Sequence, residues 1–350
     1  MFRFFAFLLC LTGIVRAVPL DLRLPTENHH LLTGEPDQFY QYVDRNFEGV
    51  ASKPWEAGSY GYVRTAVRIN GEVLLTKFHE GIDISPVKRD KAGNPLDLVS
   101  SIADGRVVYI NSQGSRGDYG KYVVIEHEWE NSGVISLYAH LAEITVKPGD
   151  EVKAGSVIGR MGYTGTGITR VRAHCHLELG MLMSTRYDDW HKAYGGGINY
   201  HGNYHGWNIT GGEVARFFLE HQTDPERKFS DFIAATPVYF KVTAPSTGKI
   251  PDFVKRYPWI THAPADDARS WQISFSATGL PVAFEPSQSI VDVPLVTSVR
   301  PSAIPHRLHT RGLITGEGNN ASLSASGLKL VALLMDNFPP APLPTSHDHR

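Results

Sequence analysis

Cysteine is nearly absent: the 350 residues hold two, Cys10 and Cys175. Cys10 falls in a leader-like stretch, so a processed chain keeps one thiol and no intramolecular disulfide can brace it. Long apolar runs are missing as well. No stretch reaches the ~18 residues that a membrane-crossing helix needs, so none is predicted. A basic excess is lacking too: Lys+Arg is 34 against Asp+Glu 36, a formal charge of −2, which argues against a nucleic-acid partner. No self-similarity of period ~20–50 residues occurs, which excludes solenoids and propellers. Glycine (33) and proline (22) are plentiful, favouring turns and short strands over long helices. With 42% hydrophobic and 20% charged residues, the chain is globular, and its length suggests about two domains.

Residues 1–17, MFRFFAFLLCLTGIVRA, are expected to be a signal peptide. Arg3 supplies the positive start, Phe4 to Val15 the apolar stretch, and Ala17 a small residue at the cleavage position. Leu9 before Cys10 argues against lipoprotein processing. The mature protein is therefore expected outside the cytoplasm: periplasm, cell envelope or extracellular space. Residues 18–60 form an N-terminal segment with a short helical pattern near 37–47. From 61 to 185, alternating runs such as 122–127 and 134–141 are separated by glycine-containing turns, the pattern of antiparallel sheets. A Tyr/Gly/His-rich loop and helical connector spans 186–235. A β-rich accessory domain follows at 236–338, and a Pro-rich tail at 339–350. The fold class expected is mainly β: an antiparallel β-sandwich-like domain at 61–185, a second, smaller β-rich C-terminal domain and a few short helices. Residues 328–337 fit a strand and a helix equally.

Three segments carry chemistry-bearing residues. Phe78–Ile84 reads FHEGIDI, with His79 and Asp83 in H-x-x-x-D spacing. Leu137–Leu141 reads LYAHL, with His140. Arg170–Gly180 reads RVRAHCHLELG, with His174 and His176 in H-x-H spacing. On a strand through the third segment, Arg172, His174, His176 and Glu178 share one face, and Val171, Ala173, Cys175, Leu177 and Leu179 the apolar other. That makes Cys175 a core thiol. Along a straight strand His79 and Asp83 would be too far apart to share an ion, and Gly81 weakens a helix. A turn at Glu80–Gly81 folds both towards one point. Imidazole nitrogen and carboxylate oxygen are zinc ligands. Two from this pair and one from H-x-H make three, leaving an open fourth position as in catalytic sites. Glu178 is placed to orient a site imidazole. Arg172 is a candidate for holding a substrate carboxylate. His201 and His205 fit a groove rim or, more simply, a surface loop. His347 and His349 read as a solvated end.

In this order and spacing, H-x-x-x-D, Y-x-H-L and H-x-H resemble the LytM/lysostaphin-type zinc metalloendopeptidases. So do Ala103–Val108, the Lys147–Gly155 run KPGDEVKAG, and Gly162–Gly165. The resemblance covers roughly 60–185. It implies a β core with the site in a groove, one Zn2+ held by His79, Asp83 and His176, catalytic roles for His140 and His174, and peptidoglycan peptides as substrate. Ala173 stands where the family usually has proline, and the turn before it is longer and basic, which bears on substrate preference. The alternative within the family is a non-catalytic cell-wall-binding or hydrolase-activating module. The KPGDEVKAG run also resembles text of lipoyl carriers, but a separation of 44 positions from Gly105 to Gly149 is too great for so small a domain.

Overall fold

Strands and tight turns dominate the computed structural model, which describes residues 19–263 and 267–340. The expected signal peptide at 1–17 and most of the expected Pro-rich tail lie outside the described residues. The main sheet has seven strands. Its path runs Glu151–Val152, Gly105–Asn111, Tyr122–Trp129, Ser132–Ala139, Cys175–Leu182, Ile209–Gly211. The short strand Ile82–Ile84 also pairs with Cys175–Leu182, and every ladder is antiparallel. The central hairpin turns through Glu130 and Asn131, at φ 53° and 56°, the left-handed pair that a two-residue hairpin loop requires.

These strands feed apolar side chains to both faces, as a sheet covered on both sides demands. Val123, Ile125, Cys175, Leu177 and Leu179 enter the large core, whereas Val124, Ile135 and Leu137 form a smaller cluster opposite. Beside the main sheet lie a three-stranded sheet (Leu98–Ser100, Leu141–Ile144, Val157–Met161) and the hairpin Gly61–Ile69/Glu72–His79.

After the connector, Phe240–Pro245, Ser270–Phe275, Pro281–Ser287 and Leu295–Val299 form a separate four-stranded sheet. Its core is aromatic: Phe240 stacks on Phe275 with ring centroids 4.9 Å apart, and Trp271 is fully buried. The large apolar core is continuous from Leu24 to Met335, so this sheet and the main one share it. Polar ties reinforce the junction. The Tyr257 hydroxyl accepts from Leu182 N (2.8 Å) and donates to Gly133 O (3.0 Å). Arg256 donates to the carbonyls of Leu182 and Met183.

The ambiguous 328–337 stretch is helical: Ala325–Leu334, capped by the Ser324 hydroxyl accepting from Gly327 N. In the 37–47 stretch only Pro36–Phe39 forms helix, and Arg45–Phe47 pairs as a strand with Val50–Ser52. Among the described residues no helix is long and apolar enough to cross a membrane.

Candidate metal centre

Strand register builds the site. Asp83 lies directly opposite His176, which in turn lies opposite Ala139, so His140 follows one residue further along. His79 ends the Glu72–His79 strand, and Glu80–Gly81 turns the chain into Ile82–Ile84. Gly81 is required by close approach: a Cβ there would sit 2.4 Å from Leu177 O and 2.9 Å from the His176 ring. His79, Asp83 and His176 are buried and offer ligand atoms all within 4.8 Å of one another.

Hydrogen bonding fixes which atoms face the centre. A carbonyl only accepts, so an imidazole nitrogen touching one carries the proton. His79 Nδ1 donates to Ser59 O (2.8 Å), leaving the Nε2 lone pair free. His176 Nε2 meets Glu178 Oε1 at 2.9 Å, leaving Nδ1 inward. Asp83 Oδ2 accepts from Arg64 Nη2 (2.6 Å), leaving Oδ1 inward. The three inward atoms form a small triangle: His176 Nδ1–Asp83 Oδ1 2.9 Å, His79 Nε2–Asp83 Oδ1 3.1 Å, His79 Nε2–His176 Nδ1 3.2 Å. Two nitrogens and one oxygen, each with its other polar atom held by a partner, suit zinc in both donor set and surrounding support.

Two more imidazoles adjoin the triangle. His140 Nδ1 donates to Thr164 O (2.9 Å) and His174 Nδ1 to Arg172 O (2.6 Å), so Nε2 is the uncommitted nitrogen of each ring. Their rings meet edge-on, centroids 4.6 Å apart, and His174 Nε2 lies 3.3 Å from Asp83 Oδ1. His140 holds φ at 61°, a costly backbone for a residue with a Cβ and one that recurs at functional sites.

Electrostatics follow from burial and charge. Burial opposes ionisation of Asp83, but His174 and His79 outweigh it and hold its carboxyl well below the usual range. Burial also opposes charge on His176, yet Asp83 and Glu178 together push its pKa up to about 10. Burial lowers His79, and burial with the His174 and His176 rings lowers His140 well below its usual value. The Tyr119 hydroxyl donates to Glu178 and stays protonated, because burial and that carboxylate raise its pKa well above normal.

The expected strand through Arg172 and His174 is corrected. Arg170–Arg172 is a single 3-10 turn, and the strand begins at Cys175. Arg172 N and Ala173 N bond back to Thr169 O and Arg170 O, while Arg89 takes the Arg170 and Val171 carbonyls, leaving no ladder to form. His176 and Glu178 share a strand face; His174 reaches the site from an isolated bridge to Gly162. Arg172 is half-buried, and its Nε finds no hydrogen-bond partner among the described residues. Cys175 is a buried free thiol. His201 and His205 do not stand clear as a plain surface loop: with Glu80, Tyr119, Phe78 and Trp207 they line a cavity of about 810 Å³. Sequence reasoning missed Arg64, Tyr119 and the Ser59 and Thr164 carbonyls. Thr164 falls within the Gly162–Gly165 run, but no local motif marks the other three.

The family model described as Peptidase family M23 matches residues 77–188, the segment that contains all five site residues. "Lipoprotein NlpD" of Yersinia enterocolitica is 38% identical over 90 residues, 26% of this chain and 84% of that protein. The chain belongs to peptidase family M23. Over 101 residues it is also 41% identical to "Murein hydrolase activator NlpD" of Escherichia coli K12, which is 29% of this chain but 22% of the relative's length. The catalytic domain of lysostaphin from Staphylococcus simulans is 28% identical, covering 35% of this chain and 76% of that one, at a TM-score of 0.26.

Proposed function

We propose that this chain is an exported zinc endopeptidase of the cell envelope that hydrolyses peptide bonds in peptidoglycan. One observation carries the reading: three metal-competent ligand atoms and two imidazole Nε2 atoms converge within the M23 segment. In this reading His79, Asp83 and His176 hold one zinc ion. Bound there, zinc supplies Lewis acidity toward a peptide carbonyl and makes water acidic enough to attack near neutral pH. His140, kept neutral by burial, accepts a proton on Nε2. The protonated His140 would then hydrogen-bond the carbonyl oxygen as it gains charge and pass that same proton to the leaving amine; His174 would do so only where its own Nε2, rather than that of His140, takes the proton of the attacking water. Glu178 and Arg64 hold His176 and Asp83 in orientation. Arg172, with its partnerless Nε, is the candidate contact for a substrate carboxylate.

The second reading, a non-catalytic hydrolase activator, draws on the name of the 41% identical relative, a murein hydrolase activator. Digestion of purified walls by the zinc-loaded chain, with mass spectrometry of the products, separates the two. New amino groups without new reducing sugar ends support the peptidase. No product on any wall type, together with stimulation of a separately added wall hydrolase, supports the activator. New reducing ends overturn both.

A further inference from the structure

We infer that the cavity beside the metal centre is a carboxylate-reading subsite, with Arg311 of the C-terminal region as its principal reader. The inference rests on the peptidase reading for its location and names the substrate class: a wall peptide ending in a free carboxylate.

Four cations line the cavity, Lys77, Arg116, Arg307 and Arg311, against two acids, Glu80 and Asp118. Among the described residues none of the four cationic groups is paired with an acid or held in a side-chain hydrogen bond. Elsewhere in the chain many arginines are paired: Arg23, Arg64, Arg68, Arg216, Arg227 and Arg256 each have a carboxylate partner within 3.0 Å. Unpaired cations gathered on one cavity are a standing demand for an anion.

Arg311 is the best organised of them. Its guanidinium packs over Phe78 (4.9 Å) and Trp207 (5.3 Å), so two aromatic faces hold its plane. Its backbone sits at φ 54°, unfavourable for a residue with a Cβ. That conformation is held by its N–H donating to the Tyr62 hydroxyl at 2.6 Å. Tyr62 belongs to the hairpin that ends in His79, and Phe78 directly precedes His79. The segment is thus clipped to the element that delivers a proposed metal ligand. Tyr60, immediately before the hairpin, ties the same region to the main sheet and the C-terminal sheet, bonding both Gly211 O and Thr278 Oγ1 at 3.0 Å. A planar, always-charged fork with its edge uncommitted matches a carboxylate in two parallel hydrogen bonds. Arg307, and Arg116 stacked on Tyr200 (4.4 Å), add charge without that double clamp.

The test uses the full zinc-loaded chain and two fluorescent stem-peptide dimers, identical but for a C-terminal carboxylate or carboxamide. Binding is read by anisotropy and cleavage by mass spectrometry in the same samples. The acid is expected to bind at least about tenfold tighter than the amide, the scale of a charge-assisted pair. Arg311→Gln should bring that ratio to within about twofold, and Arg307→Gln should reduce it less. Arg311→Lys keeps the charge but not the fork, and should retain part of the preference. Equal binding of acid and amide by the unmutated chain, or an undiminished ratio in Arg311→Gln, overturns the inference. Preference without cleavage leaves the subsite standing and removes the peptidase reading. Cleavage of both peptides without preference does the reverse.

Discussion

Arg64 lies outside the M23 segment, yet its guanidinium is the partner of Asp83 Oδ2 at 2.6 Å. Asp83 is 3% exposed at the side chain and Arg64 23%. Breaking a buried ion pair from one side costs about 3–5 kcal/mol. Here the figure is smaller, because Arg64 is partly wet and three imidazoles also face Asp83. Arg64→Met should therefore destabilise the metal-free protein by about 2–3 kcal/mol. With zinc present, two positive charges sit against the same carboxylate, and what is lost is mainly one hydrogen bond, about 1 kcal/mol. The stabilisation conferred by zinc should thus be larger in the variant than in the parent. Urea unfolding followed by tryptophan fluorescence, once with chelator and once with excess zinc, measures both numbers. With m near ~3 kcal/mol/M the metal-free midpoint should fall by about 0.7–1 M, and the zinc-loaded one by about a third of a molar. Equal losses in the two states, or a larger loss with zinc, would refute the reasoning.

Two further outcomes are expected. Alanine at His79, Asp83 or His176 should abolish both zinc content and turnover, whereas His140→Ala and His174→Ala should keep about one zinc while the rate falls ~10²–10⁴-fold; elemental analysis beside a peptide-cleavage assay reads both, and retained zinc in any of the first three overturns the ligand set. His127, buried between Asp104 O and Ser136 Oγ, has its pKa lowered by burial to about 4. The unfolded chain binds that proton more readily, so stability should be complete above pH ~6.5 and decline towards pH ~4 by about 3 kcal/mol. His127→Gln should remove that share of the slope in unfolding curves taken across the interval.

The clustering of His79, Asp83 and His176 was legible in the primary structure because H-x-x-x-D and H-x-H are local, and because alternation ties His176 and Glu178 to one face whatever lies around them. The placement of His174 by alternation failed at one step. A turn bonding back to Thr169 and Arg170, braced by Arg89, replaces the first part of the strand. That bracing depends on a residue 81 positions away in sequence. Arg64 and Tyr119 were hidden for a similar reason: they meet their partners 19 and 59 residues away in sequence, and neither carries a periodic or spaced signal. The β-rich character of 236–338 was readable from alternation. Its contact with the cavity was not, since Arg311 reaches Phe78 across more than two hundred residues.

The pairing of Ile209–Gly211 with the end of the Cys175–Leu182 strand has a consequence for how such a segment travels between proteins. That edge is closed by residues beyond 188, where the family match stops, and the Leu182 amide and carbonyl are met by Tyr257 and Arg256. At the other boundary, a cut before residue 77 would sever the hairpin two residues short of His79. A fragment trimmed to the shared segment would bare a hydrophobic sheet edge with unmet backbone groups, the template on which chains aggregate. The inherited unit is therefore smaller than the folding unit. Transplanting this centre into another architecture means supplying a new edge strand, a new anchor for Leu182 and a new lead-in to His79.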